Sequence, residues 1–244
     1  SATVECPKTM VKQLKKQAET NLNLPAPASW RRRTMLVFLY KVFWRTILGV
    51  VIGLRYLGVR KNQPDGPVIY IANHNSHLDA ISMMTVVPRH RLHLTHSVAA
   101  QDFFGNSFFR KWSMENLVNA VLISRKRGDD QVDPIEFLDG LLQAGRSLIL
   151  FPEGTRGVAG SMGDFKRGVG HLASRHPGIP VIPIYLDGLY RNLPKGRAMI
   201  VPFGGNLIMG EPLVFGDEDV DEITLQTQKA LEDMAQELRD ANRI

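Results

Sequence analysis

The sequence predicts an α/β fold: a mixed, mostly parallel sheet covered by helices, with an amphipathic two-helix unit on its N-terminal side. Three observations support this. Short apolar runs bounded by turn residues alternate with stretches of helical periodicity, which is how strands buried on both faces and their covering helices read. The 244 residues, 44% hydrophobic and 22% charged, suffice for one sizeable core and lack the composition of a disordered chain. Charge is unevenly divided, with 12 basic and 2 acidic side chains over residues 1–61 against 18 and 22 over residues 62–244. The expected division is a cationic helical unit over 1–61 and an α/β body over 62–244.

Taken in order, residues 9–19 place Met10, Val11, Leu14 and Ala18 on one side of a helix and Lys12, Lys15 and Lys16 mostly on the other. Residues 21–27 break that helix. Trp30 and Arg31-Arg32-Arg33 then precede a second helix over 34–54, apolar almost throughout but interrupted by Lys41 and Arg45. Those two lie four apart and share a face. Holding them near mid-bilayer costs several kcal/mol, whereas a helix lying in the membrane interface keeps both in water. Interfacial attachment is therefore expected, with packing on the body and a true span as the alternatives. The aromatic and polybasic lead-in suits lipid headgroups.

In the body, residues 68–72 read as a buried strand and 118–124 as another. Asp133-Pro134-Ile135-Glu136 combines an N-cap, a first-turn proline and a capping-box Glu, and Leu138, Leu141 and Leu142 follow before Gly145 ends the helix. Strands over 147–151, 181–185 and 199–202 and a short helix over 170–175 come next. A closing amphipathic helix over 223–242 turns Ile223, Ala230, Leu231, Met234 and Leu238 inward.

The densest polar cluster, Asn73-His74-Asn75-Ser76-His77-Leu78-Asp79, follows the first of these strands, where crevices open in α/β sheets. His74 and Asp79 are five apart, and a turn into a helix beginning near Ser76 brings carboxylate and imidazole together. Such a carboxylate fixes the tautomer and leaves the second ring nitrogen free to take a proton from a hydroxyl. With no G-x-S-x-G elbow and with Cys6 remote, the attacking hydroxyl belongs to the substrate. A second cluster, Phe151-Pro152-Glu153-Gly154-Thr155-Arg156, follows another strand. Its Gly154 permits close backbone approach, and Thr155 and Arg156 are donors of the kind that hold a phosphate. Arg125-Lys126-Arg127 adds positive charge after the 118–124 strand, so an anionic group is expected in the cleft.

Other chemistries fit less well. The cationic arm is interleaved with apolar runs instead of forming a polar tail, which argues against nucleic acid and for an anionic membrane surface. A single cysteine excludes a disulfide scaffold and a Cys-built metal centre. His74/His77 and His93/His96 are each spaced by three, but neither pair sits in an H-E-x-x-H frame, and no metal is expected. The glycine-rich nucleotide loops are missing from the sequence. Phe103, Phe104, Phe108, Phe109 and Trp112 are expected in the core, and Arg127, Lys166 and Arg167 also read as a solvated edge.

These residues carry a resemblance. Asn73-His74 through Ser76 and Asp79 resembles the N-H-x-S-x-x-D block of glycerolipid acyltransferases, the family of 1-acylglycerol-3-phosphate acyltransferase. Ile123-Ser124-Arg125 is similar to the second block, residues 151–156 match the F-P-E-G-T-R block in full, and Val181-Ile182-Pro183-Ile184 resembles the fourth. Phe165-Lys166-Arg167-Gly168 is similar to the F-K-x-G segment that follows the third block in many members. The resemblance spans roughly residues 68–202 in the family's order.

It implies an enzyme in which His74, oriented by Asp79, deprotonates an acceptor hydroxyl for attack on an acyl thioester. It implies substrate-binding roles for Asn73, Ser76, Arg125, Glu153, Gly154, Thr155, Arg156 and Lys166, with Arg125 and the 153–156 segment placing a glycerol phosphate. The donor is acyl-CoA or acyl-carrier-protein, the acceptor lysophosphatidate or a related lysolipid, and no further cofactor is implied. Peripheral or monotopic attachment to a phospholipid surface, at the cytoplasmic face of a bacterial inner membrane, completes the expectation. Another lysolipid, such as one with a larger headgroup, or a glycolipid as acceptor, and a catalytically silent membrane-binding or lipid-transfer protein, are the rival readings. One departure bears on the acceptor: many members have Gly five positions before the second-block Arg, and the methyl of Ala120 here is expected to narrow the acceptor pocket.

Overall fold

Alternation along the central strands sets the architecture. In β2 (Ile69–Ala72) the side chains of Ile69 and Ile71 enter one apolar cluster and those of Tyr70 and Ala72 the other; in β5 (Ser147–Leu150) Leu148 and Leu150 part from Ile149 in the same way. A strand buried on both faces needs cover on both, and the helices provide it. The computed structural model describes residues 24–26, 28–59, 63–76, 78–100, 119–123, 133–155, 161–192 and 203–241.

Among the described residues seven strands form one sheet. Besides β2 and β5 these are β1 (Leu54–Leu57), β3 (Thr95–Ala100), β4 (Ala120–Ile123), β6 (Val181–Asp187) and β7 (Gly205–Met209), in the order β1-β7-β6-β2-β5-β3-β4. All neighbours are parallel except β6 and β7. The mixed, mostly parallel sheet expected from the sequence is therefore present. One face is covered by α1 (Trp30–Ile52) and α2 (Asp79–Val86), the other by α3 (Pro134–Gln143), α4 (Gly168–Arg175) and α5 (Val220–Ala241). Asp133 caps α3 by accepting from the Ile135 amide at 2.7 Å, as the sequence predicts.

Helix α1 starts as an α-helix over Trp30–Phe38, continues through π-helical turns at Leu39–Trp44 and Ile47–Ile52, and stops at Gly53, whose φ of 79° suits a left-handed cap. Its length and apolarity are enough to cross a membrane. Four of its side chains, Leu36, Tyr40, Leu48 and Ile52, are nonetheless built into the core beside Tyr70 and Met84. The opposite face leaves Trp30, Phe38, Val42, Phe43, Val50 and Val51 exposed.

Several expectations change. The boundary at residue 61 does not coincide with a break in structure, because β1 precedes it and belongs to the sheet while α1 packs on that sheet. Lys41 and Arg45, expected in water, turn inward and donate to the carbonyl of Thr85 at 2.6 and 3.3 Å. Arg32 likewise points inward, to Asn119 Oδ1 at 3.1 Å. On α5 the buried set is Ile223, Thr224, Thr227, Leu231 and Ala235, so Ala230, Met234 and Leu238 lie at its margin. Strands β1, β3 and β7 were not expected; β3 reads Thr-His-Ser-Val-Ala-Ala and lacks an apolar run. The helix over 9–19, the strand over 199–202 and the aromatic residues at 103–112 lie outside the described residues.

Candidate active site

Adjacent parallel strands β2 and β5 send their chains to opposite faces of the sheet. After β2 the chain enters α2 on the α1 side, whereas after β5 it reaches α4 on the other. A crevice opens where such connections part, at the carboxyl ends of the strands. Both polar clusters of the sequence lie there.

The first cluster folds onto Asp79, the first residue of α2. His74 Nδ1 lies 3.0 Å from Asp79 Oδ2, and the same oxygen accepts the backbone amides of Asn75 and Ser76, each at 2.7 Å. Asp79 is 1% exposed, so three donors converge on one buried carboxylate oxygen and determine its position. An ionised carboxylate there keeps the imidazole proton on Nδ1 and leaves Nε2 as the acceptor. The ring stacks on Phe151, centroids 4.2 Å apart and planes 24° from parallel, which limits its rotation. Its half-buried state keeps an edge toward solvent.

The second cluster supports the first. Glu153, 5% exposed, accepts the His74 amide on Oε1 at 2.9 Å and the Gly163 amide on Oε2 at 3.0 Å. Burial pushes its carboxyl up, while the amides of Gly163 and His74 act in the opposite direction. The turn closes with Gly154 N–H donating to Phe151 O at 2.9 Å. Gly154 has a φ of 70°, and a Cβ there would sit 2.7 Å from Lys166 Nζ. The Lys166 ammonium thus lies against the turn, and its own amide donates to Pro152 O at 2.9 Å. Thr155 is exposed beside it.

Besides Glu153, two residues expected to bind substrate have their polar atoms committed elsewhere. Asn73 exchanges a pair of 2.8 Å hydrogen bonds with the backbone of Leu186, tying β2 to β6. Ser76 accepts the Leu78 amide on Oγ at 3.2 Å and is 2% exposed. Arg125, Arg156 and His77 lie outside the described residues. Ala120 begins β4, paired with Ser97 and buried, about 10 Å of strand before the carboxyl end of β4. Arg167 forms a two-pronged pair with Asp221 on α5, Nε to Oδ1 at 2.7 Å and Nη2 to Oδ2 at 2.8 Å. His96 is held between Asn119 O at 3.2 Å and the Arg146 guanidinium at 3.3 Å, a cationic setting unsuited to a metal ion. Among the described residues no group of three His, Cys, Asp or Glu is arranged to hold a metal.

Sequence reasoning missed the stacking of Phe151 and the staple through Gly163. Phe151 was visible as part of its block, but the ring contact joins residues 77 positions apart. The Gly163 contact carries no side-chain signal at all.

Residues 54–187 match the protein family described as Acyltransferase. A chloroplastic 1-acyl-sn-glycerol-3-phosphate acyltransferase of Brassica napus is 28% identical over 154 residues, covering 63% of this chain and 42% of the relative. The 1-acyl-sn-glycerol-3-phosphate acyltransferase alpha of Ovis aries is 33% identical over 133 residues, covering 53% and 43% respectively. The chain thus spans less than half the length of these curated relatives. The crystal structure of the 1-acyl-sn-glycerophosphate (LPA) acyltransferase from Thermotoga maritima has the same fold, with a TM-score of 0.69 over 93% of this chain and 89% of that one at 22% identity.

Proposed function

The chain belongs to the Acyltransferase family, and from that premise we propose that it moves a fatty acyl group from acyl-CoA or acyl-carrier-protein to the free hydroxyl of 1-acylglycerol 3-phosphate, forming phosphatidate. The observation that carries the reading is the His74–Asp79 pair at the crevice between β2 and β5. His74 Nε2 takes the hydroxyl proton as the acceptor oxygen attacks the thioester carbonyl. The tetrahedral intermediate then collapses, the carbon–sulfur bond breaks, and the leaving sulfur recovers the proton from Nε2–H. Ester and free thiol balance the step. Asp79 stays ionised and stabilises the imidazolium formed in between.

Lys166 and Thr155 beside the Gly154 turn, with Arg125 and Arg156 by the family pattern, hold the acceptor phosphate. Asn73, Ser76 and Glu153 position the machinery, because their polar atoms are engaged with the fold. The exposed face of α1 rests on an anionic phospholipid surface, peripherally, at the cytoplasmic face of a bacterial inner membrane. The curated relatives bear the name of this activity.

The test is a panel of lysolipid acceptors assayed with one long-chain acyl-CoA and one acyl-carrier-protein and read by product mass. Phosphatidate from lysophosphatidate supports the reading. Product from a different acceptor alone replaces the substrate, and no acyl product from a folded preparation rejects the activity.

A further inference from the structure

Helix α2 has two ends with different tasks. Its first residue, Asp79, faces His74; its last turn ends about 9 Å away at the carbonyls of Thr85 and Val86, which have no partner inside the helix. Three donors meet them. Lys41 Nζ and Arg45 Nη1 converge on Thr85 O at 2.6 and 3.3 Å, and Gln63 Nε2 donates to Val86 O at 3.0 Å, itself held by the hydroxyl of Tyr70 at 2.7 Å. Arg45 also stacks on the ring of Tyr56, 4.3 Å from its centroid. Two cations at a helix C-terminus favour the helix dipole.

The arrangement exceeds what capping requires. One neutral donor would satisfy the Thr85 carbonyl, yet a half-buried lysine stands there next to Arg45 and Arg89, and desolvation with those charges pushes its ammonium down to about 7. The groups facing it are Arg45 on its own helix, Arg89 beyond α2 and, across Thr85, the hydroxyl of Tyr56. The outer side of the same segment of α1 exposes Phe38, Val42 and Phe43. A single helical segment therefore presents apolar side chains outward and grips α2 inward.

We propose that Lys41 and Arg45 are positioning residues for the His74–Asp79 pair, clamping the far end of α2 so that its first turn holds Asp79 against His74 Nδ1. Any shift in how α1 seats is thereby transmitted along two turns of helix to the carboxylate. The turnover part of this inference rests on the acyl-transfer reading; the clamp does not.

The test uses the full chain in lipid micelles. The ring-nitrogen chemical shifts of His74 in nitrogen-labelled NMR, with His74→Gln identifying its signals, report the tautomer that the Asp79 contact fixes, independently of activity. Replacing both clamps, Lys41→Gln with Arg45→Gln, should lower the share of the Nδ1–H tautomer of His74, since a less firmly held carboxylate orients the ring less. It should reduce kcat by about tenfold with the acceptor KM within about twofold. Lys41→Arg should restore both. A folded double variant with unchanged His74 tautomer and kcat, altered only in unfolding free energy, overturns the proposal in favour of a plain helix cap. If the double variant does not fold, Arg45→Gln alone decides by the same criteria. If the wild type transfers no acyl group, the activity fails and the His74 tautomer by itself decides the clamp.

Discussion

The backbone amide of His74 donates to Glu153 Oε1 at 2.9 Å, so the second residue after β2 is held by a carboxylate that follows β5. The other oxygen of Glu153 holds Gly163, leaving the side chain with two backbone donors and no free acceptor aimed along them. In Glu153→Gln the amide nitrogen must face one of those N–H groups, donor against donor. The loop holding His74 should shift, and kcat should fall by about 10²-fold with the fold retained, as displacements near 1 Å do elsewhere. Steady-state kinetics together with circular dichroism of the variant check this.

His74→Ala should reduce acyl transfer by a factor of about 10² to 10⁴, the usual contribution of a general base, while liposome binding is unaffected. Asp79→Asn should be comparably impaired. Its Oδ2 receives two backbone amides besides His74, and an amide side chain in that place neither fixes the tautomer nor stabilises imidazolium. Near-full turnover by a folded His74→Ala protein would reject the mechanism.

Acid stability should depend on His96. Burial, and next the Arg146 guanidinium, push its imidazole from 6.5 down to about 3. The folded state keeps it neutral, whereas the unfolded chain takes up a proton below pH 6.5. Its contribution is therefore complete above pH 6.5 and is lost as pH falls toward 3, each unit of that gap amounting to about 1.4 kcal/mol. His96→Gln, able to accept from Arg146 and donate to Asn119, should flatten the decline of urea stability between about pH 6.5 and 4.

The outer face of α1 should bind lipid by two separable contributions. Phe38→Ser with Val50→Ser should lower co-sedimentation with neutral and anionic vesicles alike, because both side chains are exposed and apolar. Arg31→Gln with Arg33→Gln should remove mainly the salt-sensitive part, since both arginines lie in solvent. Arg32→Gln should instead reduce stability, as its guanidinium reaches Asn119 inside the protein. Equal binding of the doubly substituted arginine protein to anionic vesicles at low salt would reject the electrostatic contribution.

Much of the architecture was legible because its determinants are local. The apolar runs of β2, β5 and β6, the Asp133-Pro134 start of α3 and the periodicity of α5 each reside in a short stretch, and the structure has all of them. The His74–Asp79 pairing was legible for the same reason: five residues at a strand end bring imidazole and carboxylate together through one turn.

What depends on pairing across long distances in the chain was decided by the tertiary structure alone. β3 is a strand because β4 and β5 flank it, since its polar residues satisfy themselves against Asn119, Arg91 and Arg146 once buried. Asn73 and Glu153 are tied into the fold because Leu186, His74 and Gly163 offer backbone groups where those side chains end. Sequence spacing placed Lys41 and Arg45 on one helix face but gave no means of telling a wet face from a protein one. That choice followed from the carbonyl of Thr85, a backbone group 40 residues and more along the chain that lacks a partner in its own helix and accepts from both side chains, which stay only partly buried.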